Sequence, residues 1–315
     1  MIFMKDLSDY IKGYSHIPII TGPTASGKSG LALEICEVTG GELISCDSMQ
    51  IYKTLDIGTA KDSADERRRV PHHMTDIIEP GCDYSVKDYT DDALLAIRDV
   101  LERGKLPVLC GGTGQFVSAL YYGLEYGETL IPEAVMDRLD NELKTCGAEA
   151  MHARLSLIDP EAASKIHPNN TRRLIRALAV YEATGKTFTE KNVESRRKGA
   201  EYPFKVFFID IDRSLLYDRI NKRVDIMFEQ GLEQEARMLY SSIIPRDSTC
   251  FQAIGYKEFK DYFDDECSIE EVADKIKLNS RHYAKRQITW FRGMEDIVRI
   301  PFGTTAQDVV GQISI

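Results

Sequence analysis

Eight residues, GPTASGKS from Gly22 to Ser29, match the pattern of a phosphate-binding loop. In such a loop glycines let successive backbone N–H groups turn toward an oxyanion, and the following helix adds its positive end. Here Gly22, Pro23, Thr24, Ala25, Ser26 and Gly27 would form the cradle, Lys28 would reach the terminal phosphates, and the Ser29 hydroxyl would ligate Mg²⁺. A carboxylate at the end of an apolar strand is the usual companion. Asp47 ends GELISCD, while Asp210 and Asp212 end FFIDID. Any of these could hold a metal, and Asp47 could instead orient or deprotonate an acceptor hydroxyl. The loop alone points to a nucleotide hydrolase or kinase and leaves those roles open.

The elements that must position these residues are legible from periodicity. IPIIT reads as a short apolar strand, and GLALEICEVTG as a helix with apolar residues at helical spacing. GELISCDS, KLPVLC and KVFFIDID read as further strands separated by helical stretches. The alternation predicts an α/β fold, a P-loop NTPase-like parallel-sheet core with ligands at the carboxyl ends of its strands. Between 123 and 202 the strand signal stops and Pro, Asn and Gly punctuate several helices, so this segment is expected to be a mostly helical insertion between core parts 1–122 and 203–315. After FFIDID the pattern turns amphipathic and helical, with a break expected at Gly231.

Composition is that of a globular chain, with 43% hydrophobic and 29% charged residues. The charged N-terminus and the lack of a long apolar run argue against a signal peptide or a membrane span, so a cytoplasmic protein is expected. Seven scattered cysteines without CxxC spacing argue against a disulfide framework and against a thiolate zinc site. His72 and His73 are adjacent, and on a strand they point to opposite faces without metal-ligand spacing. Net charge is −10, yet Lys165 to Lys198 holds nine basic residues, Arg196, Arg197 and Lys198 among them, against three acids. A second run, RHYAKRQITWFR from Arg281 to Arg292, has four basic residues and no acid. Such patches suit a phosphate backbone; solvated helix faces are the other reading.

Around Asp47, ISCDSMQIYKTLDIGTAK resembles the segment after the phosphate loop in the tRNA dimethylallyltransferases, also called tRNA isopentenyltransferases. The resemblance continues in order through PHHMTDI, GGTGQFVSALYYGL, HPNNTRRLIRALAVYEATGK, DRINKRVDIMFEQGLEQEA, AIGYKE and RHYAKRQITWFR. It implies that the loop grips the diphosphate of dimethylallyl diphosphate with Mg²⁺, and that the acceptor is N6 of the adenosine 3′ of the anticodon, position 37, in tRNAs reading codons that begin with U. It further implies Asp47 as general base, Thr113 lining the channel where amine and diphosphate meet, and an arginine of DRINKR on the diphosphate. Arg219 and Arg223 lie one turn apart; Arg223 is favoured, and surface pairing is the alternative for Arg219.

For the tRNA anticodon stem-loop the resemblance implies Asp47, Ser48, Met49 and Gln50, then Arg172, Arg173, Leu174, Ile175 and Arg176, then Phe251, Gln252, Gly255 and Tyr256, and finally Arg281, Lys285 and Arg286. The arginines of the 172–176 segment would position through phosphates, and Gln50, Gln252 and Tyr256 would read bases, with core packing the other reading for Tyr256. Trp290 and Phe291 are expected in the core. Gln115 stands where the family usually has an aliphatic residue, which would put a polar group near the channel. The absence of a C-terminal Cys/His cluster is similar to the bacterial form, a monomer requiring no zinc. The nearest alternative, an adenylate isopentenyltransferase acting on AMP, ADP or ATP, would share the catalytic residues but has little use for the basic insertion; a small-molecule kinase is the more distant one.

Overall fold

The computed structural model describes residues 6–125, 131–196 and 199–315, so Arg197 and Lys198 of the basic run lie outside the described residues. Six strands form one parallel sheet: β1 (Ile17–Thr21), β2 (Glu42–Ser45), β3 (His72–His73), β4 (Pro107–Cys110), β5 (Phe204–Asp210) and β6 (Val298–Pro301). Their order across the sheet is β3-β2-β4-β1-β5-β6. The four strands expected from sequence are β1, β2, β4 and β5. All residues of β1, β2 and β4 are buried, which is why these strands read as continuous apolar runs rather than alternating ones. The edge strands β3 and β6 are two and four residues long, too short to leave a periodic signal.

Helices α1 (Lys28–Thr39), α2 (Ala64–Arg69), α3 (Val86–Glu102) and α4 (Gly114–Tyr122) connect the first strands. Next come α5 (Glu133–Ile158), broken at Gly147, then α6 (Pro160–Lys165), α7 (Thr171–Thr184) and α8 (Phe188–Ser195). After β5 the chain forms α9 (Arg213–Glu229), α10 (Leu232–Tyr240), α11 (Lys260–Phe263), α12 (Ile269–Arg292) and, beyond β6, α13 (Ala306–Ile313). Gly231, at φ 103°, separates α9 from α10. Ser85 and Ser268 close capping boxes with Asp88 and Glu271 at the starts of α3 and α12.

Among the described residues one compact unit runs from Tyr122 to Gly199, and the other comprises the chain before and after it. The helical unit has its own core, in which Leu139, Met151 and Leu155 of α5 meet Leu174, Ile175 and Leu178 of α7. In the sheet unit a second cluster joins Val224 and Met227 of α9, Leu232 and Ala236 of α10, and Val272 and Ile276 of α12 to Tyr256 and Phe259. No helix among the described residues is long and apolar enough to cross a membrane.

Candidate active site

Parallel strands bring their carboxyl ends to one edge, and there β1 delivers the phosphate loop, β2 delivers Asp47 and β4 delivers Thr113. Within the loop Ala25 and Gly27 take positive φ, 63° and 88°, folding the chain before α1. The loop is tied to the β4 turn by Gln287 of α12. Its Oε1 accepts from the Thr24 N–H at 2.8 Å and its Nε2 donates to the Gly112 carbonyl at 3.0 Å. A Cβ on Gly111 would stand 2.2 Å from the Cys46 carbonyl oxygen, so only glycine lets the β4 turn pass this close to β2.

The Met49 N–H donates to Asp47 Oδ1 at 2.9 Å. The Thr113 hydroxyl accepts from the Ser48 N–H at 3.0 Å and donates to the Ser48 hydroxyl at 3.3 Å, coupling the β2 and β4 turns. Arg219 donates from Nε to the Ala25 carbonyl at 2.8 Å and lies over the Phe302 ring. Arg223 reaches the Thr24 hydroxyl and the Ala60 carbonyl, both at 3.5 Å, the limit of hydrogen bonding. Both arginines of DRINKR therefore touch this region, Arg219 from the outer surface and Arg223 from within.

Asp47, Ser48, Met49, Thr24, Arg223 and Tyr283 line a cleft of about 280 Å³, closed by an apolar wall of Ile220, Val224, Met227 and Ile276. Burial pulls the pKa values of Lys28 and Arg223 below their ordinary values, and the nearby Asp47 charge opposes that shift in both. Burial and then the Asp47 charge push the Tyr283 phenol upward. The cleft thus holds the desolvated Arg223 beside the Asp47 carboxylate, while Lys28 is desolvated in the phosphate loop. Lys28 donates to the Pro23 carbonyl at 3.4 Å, and Ser29 sits in the first turn of α1. Ser26 Oγ in the loop and Thr21 Oγ1 at the end of β1 are buried with no hydrogen-bond partner, two hydroxyl donors left unused by the protein.

Several expected ligand contacts are placed differently. Tyr256 is 0% exposed, and its hydroxyl donates to Glu235 Oε1 at 2.5 Å, so it supports the cleft from behind. Gln50 uses both ends of its amide on the protein: Nε2 donates to the Thr59 and Ala60 carbonyls, each at 3.3 Å, and Oε1 accepts from Ser45. That leaves one lone pair of Oε1 as the only amide group not already used on the protein. Asp212 caps α9, accepting from the Ser214 and Leu215 N–H groups, and the exposed Asp210 stands 3.8 Å from Arg299. Trp290 is 39% exposed instead of buried, its N–H donating to Ser118 and its ring covering Gly114; Phe291 is in the core. Gln115 is exposed on α4 and is not part of the cleft lining.

His72 contacts the Val70 carbonyl and Asp62, and His73 contacts Glu42; among the described residues no His/Cys/Asp/Glu cluster suits a metal. Of the remaining expected residues, Gln252, Gly255 and Arg286 line the cleft, and Phe251 is buried. Arg281 is held by Asn221 at 2.7 Å, and Lys285 is exposed. In the helical unit Arg172, Arg173 and Arg176 are exposed along α7, whereas Leu174 and Ile175 turn into that unit's core. Glu182, one of the acids of the basic run, is neutralised by Arg138 and Arg154. Tyr283 and Gln287 were not singled out from sequence; both lie in RHYAKRQ, where i, i+4 spacing placed them on one face of α12.

A family model described as IPP transferase matches residues 50–294. The chain is similar to a tRNA dimethylallyltransferase of Bacillus cytotoxicus, 44% identical over 281 residues, 89% of this chain and 88% of that protein. One from Geobacillus thermodenitrificans is 47% identical over 276 residues, 88% and 87% of the two chains. Among solved structures, a tRNA isopentenylpyrophosphate transferase of Bacillus halodurans superposes with a TM-score of 0.69 at 41% identity, covering 94% of this chain and 93% of that one. A eukaryotic dimethylallyltransferase acting on tRNA gives 0.75 at 28% identity, covering 91% and 73%.

Proposed function

The chain belongs to the IPP transferase family, and we propose that it transfers the dimethylallyl group of dimethylallyl diphosphate to N6 of the adenosine 3′ of the anticodon in tRNA, releasing diphosphate. The observation that carries this reading is the convergence, at one edge of the sheet, of the phosphate loop, Asp47, Thr113 and the largely desolvated Arg223.

The N6 lone pair attacks C1 of the allyl group, and the C1–O bond breaks with its electron pair leaving on the diphosphate. Asp47 takes the proton that N6 loses; Oδ1 is fixed by the Met49 N–H, and Oδ2 is the oxygen left for the amine. Lys28, Arg223 and the N–H groups of the loop meet the charge growing on the leaving group. Their desolvation strengthens that interaction. The unpartnered Ser26 and Thr21 hydroxyls and the Ser29 hydroxyl fit a diphosphate carrying Mg²⁺, with Ser29 as the protein ligand. Bound Mg²⁺ would supply further positive charge against the leaving group, beside that of Lys28 and Arg223. Ile220, Val224, Met227 and Ile276 offer an apolar surface to the flipped adenine and the five-carbon chain. Arg172, Arg173 and Arg176 contact phosphates of the RNA. The protein acts as a cytoplasmic monomer.

The test is incubation with dimethylallyl diphosphate and Mg²⁺, offering unmodified tRNA or free AMP, with nucleosides identified by mass. N6-prenyladenosine from tRNA alone is expected. Product from AMP alone would transfer the chemistry to a free nucleotide and leave the basic helical unit without a substrate.

A further inference from the structure

Ile276, Ser280, Tyr283 and Gln287 recur along α12 at helical spacing and so share one face of that helix. The first three line the cleft, Ile276 within its apolar wall. Gln287 ends the row by joining the phosphate loop at Thr24 to the β4 turn at Gly112. Tyr283 therefore stands one turn from that tie, about 6 Å along the axis, where the side of the cleft that carries Asp47 meets the side that carries the loop.

Among the described residues lining the cleft, Tyr283 is the one aromatic side chain, and it is half-buried. Its phenol oxygen stands beside the side chains of Thr113 and Gln287 and in the field of Asp47, and burial keeps the proton on it at neutral pH. The Arg286 guanidinium lies 5.5 Å from the ring centroid. Tyrosine combines an apolar body with a polar tip. Here the tip lies among Thr113, Gln287 and Asp47, and the ring supplies the bulk beside them.

That bulk matters because of what the site activates. Lys28, Arg223 and the loop N–H groups draw charge from the C1–O bond of the allyl group whichever nucleophile then attacks C1. The N6 lone pair is shared with the adenine ring, so the amine competes poorly with any water that reaches C1. In the competing reaction the water oxygen bonds to C1, the C1–O bond breaks with its electron pair leaving on the diphosphate, and Asp47 takes the water proton. The product is dimethylallyl alcohol in place of a prenylated base. Exclusion of water from the site is what suppresses such a side reaction.

Resting on the function proposed above, we propose that Tyr283 determines which nucleophile receives the allyl group. Its ring closes the passage between Asp47 and the phosphate loop to water, so that C1 is taken by the N6 amine.

The test uses the full chain with dimethylallyl diphosphate, Mg²⁺ and unmodified tRNA. Diphosphate released is counted against N6-prenyladenosine and dimethylallyl alcohol, both identified by mass. The wild type should release about one diphosphate for each prenyladenosine. In Tyr283→Ala transfer should fall about tenfold or more, and about half or more of the diphosphate released should be matched by alcohol. Tyr283→Phe keeps the ring and should stay coupled as the wild type is. Tyr283→Leu keeps only part of the bulk and should be uncoupled to an intermediate degree, which carries the test if the alanine variant fails to fold. The KM for dimethylallyl diphosphate should be unchanged throughout, because the groups that hold the diphosphate are untouched.

Full coupling in both Tyr283→Ala and Tyr283→Leu would overturn the proposal, even with a slower rate, since a merely structural role slows transfer without producing alcohol. Uncoupling in Tyr283→Phe as large as in the alanine variant would also overturn it, by assigning the effect to the hydroxyl. A wild type that prenylates no tRNA would sink the proposed function and this inference with it. That failure appears before any variant is compared, so it is distinct from the failure of Tyr283 alone.

Discussion

Glu235 is 6% exposed and does not itself line the cleft, yet its carboxylate organises one wall of it. Oε2 accepts from the Asp56 and Ile57 N–H groups at 2.8 and 2.9 Å; Oε1 accepts from Ile57 and Gly58 at 3.1 and 2.9 Å and from the Tyr256 hydroxyl. The turn so held presents the Thr59 and Ala60 carbonyls to Gln50 and the Ala60 carbonyl to Arg223. In Glu235→Gln one oxygen becomes an NH₂ group. The least damaging orientation puts it at Oε2, where it faces the Asp56 N–H, donor against donor, and leaves Ile57 to Oε1. One charge-assisted bond, about 1.5–3 kcal/mol, is lost and the others become neutral, so destabilisation of about 3 kcal/mol is expected in urea unfolding. Tyr256→Phe removes a single donor and should cost about half as much. Measured where both variants are fully folded, Glu235→Gln should also lower kcat/KM about tenfold or more, because the displaced turn misplaces Arg223. A stability change below about 0.5 kcal/mol, or a lost stability with wild-type kcat/KM at full folding, would refute the positioning argument.

Asp47→Ala should cut the single-turnover transfer rate on the order of 100-fold or more while leaving stem-loop affinity near normal; an unchanged rate would remove Asp47 from proton transfer. Gly111→Ala forces a methyl group against the Cys46 carbonyl and should destabilise the fold by about 3 kcal/mol, read as a lowered Tm. Glu42, buried between Arg103, Lys105 and His73, has its carboxyl held well below the ordinary range by Arg103 first. A depressed folded-state pKa contributes stability above the unfolded value, about 4.3, that is lost as pH falls through the folded value. Urea midpoints of wild type and Glu42→Gln should therefore differ by a constant amount near neutrality and converge below about pH 4; a pH-independent gap would contradict the assignment.

The parts of this site that were legible in the sequence are those whose chemistry is local. GPTASGKS names its own function because loop, cation and helix start are contiguous, and Asp47 follows from an apolar run that ends at the sheet edge. Glu235 stands in the first turn of α10, where an acid reads as a partner for the helix dipole. Its real partners lie up to 179 residues away, and no periodicity records them. Gln287 is the same case: it joins Thr24 and Gly112 across 263 and 175 residues, and in sequence it is one polar residue within a basic run. Trp290 read as core by its size, but its indole serves as a cover over Gly114 with one edge in solvent, which its amphipathic ring permits. A loop that holds an anion can be specified by eight residues because backbone N–H groups do the binding. A cleft that turns over a substrate needs walls fixed to within a fraction of an ångström. Here the walls are fixed by buried polar side chains reaching in from α10 and α12, so their loss should be felt in kcat/KM although none of them touches the reacting atoms.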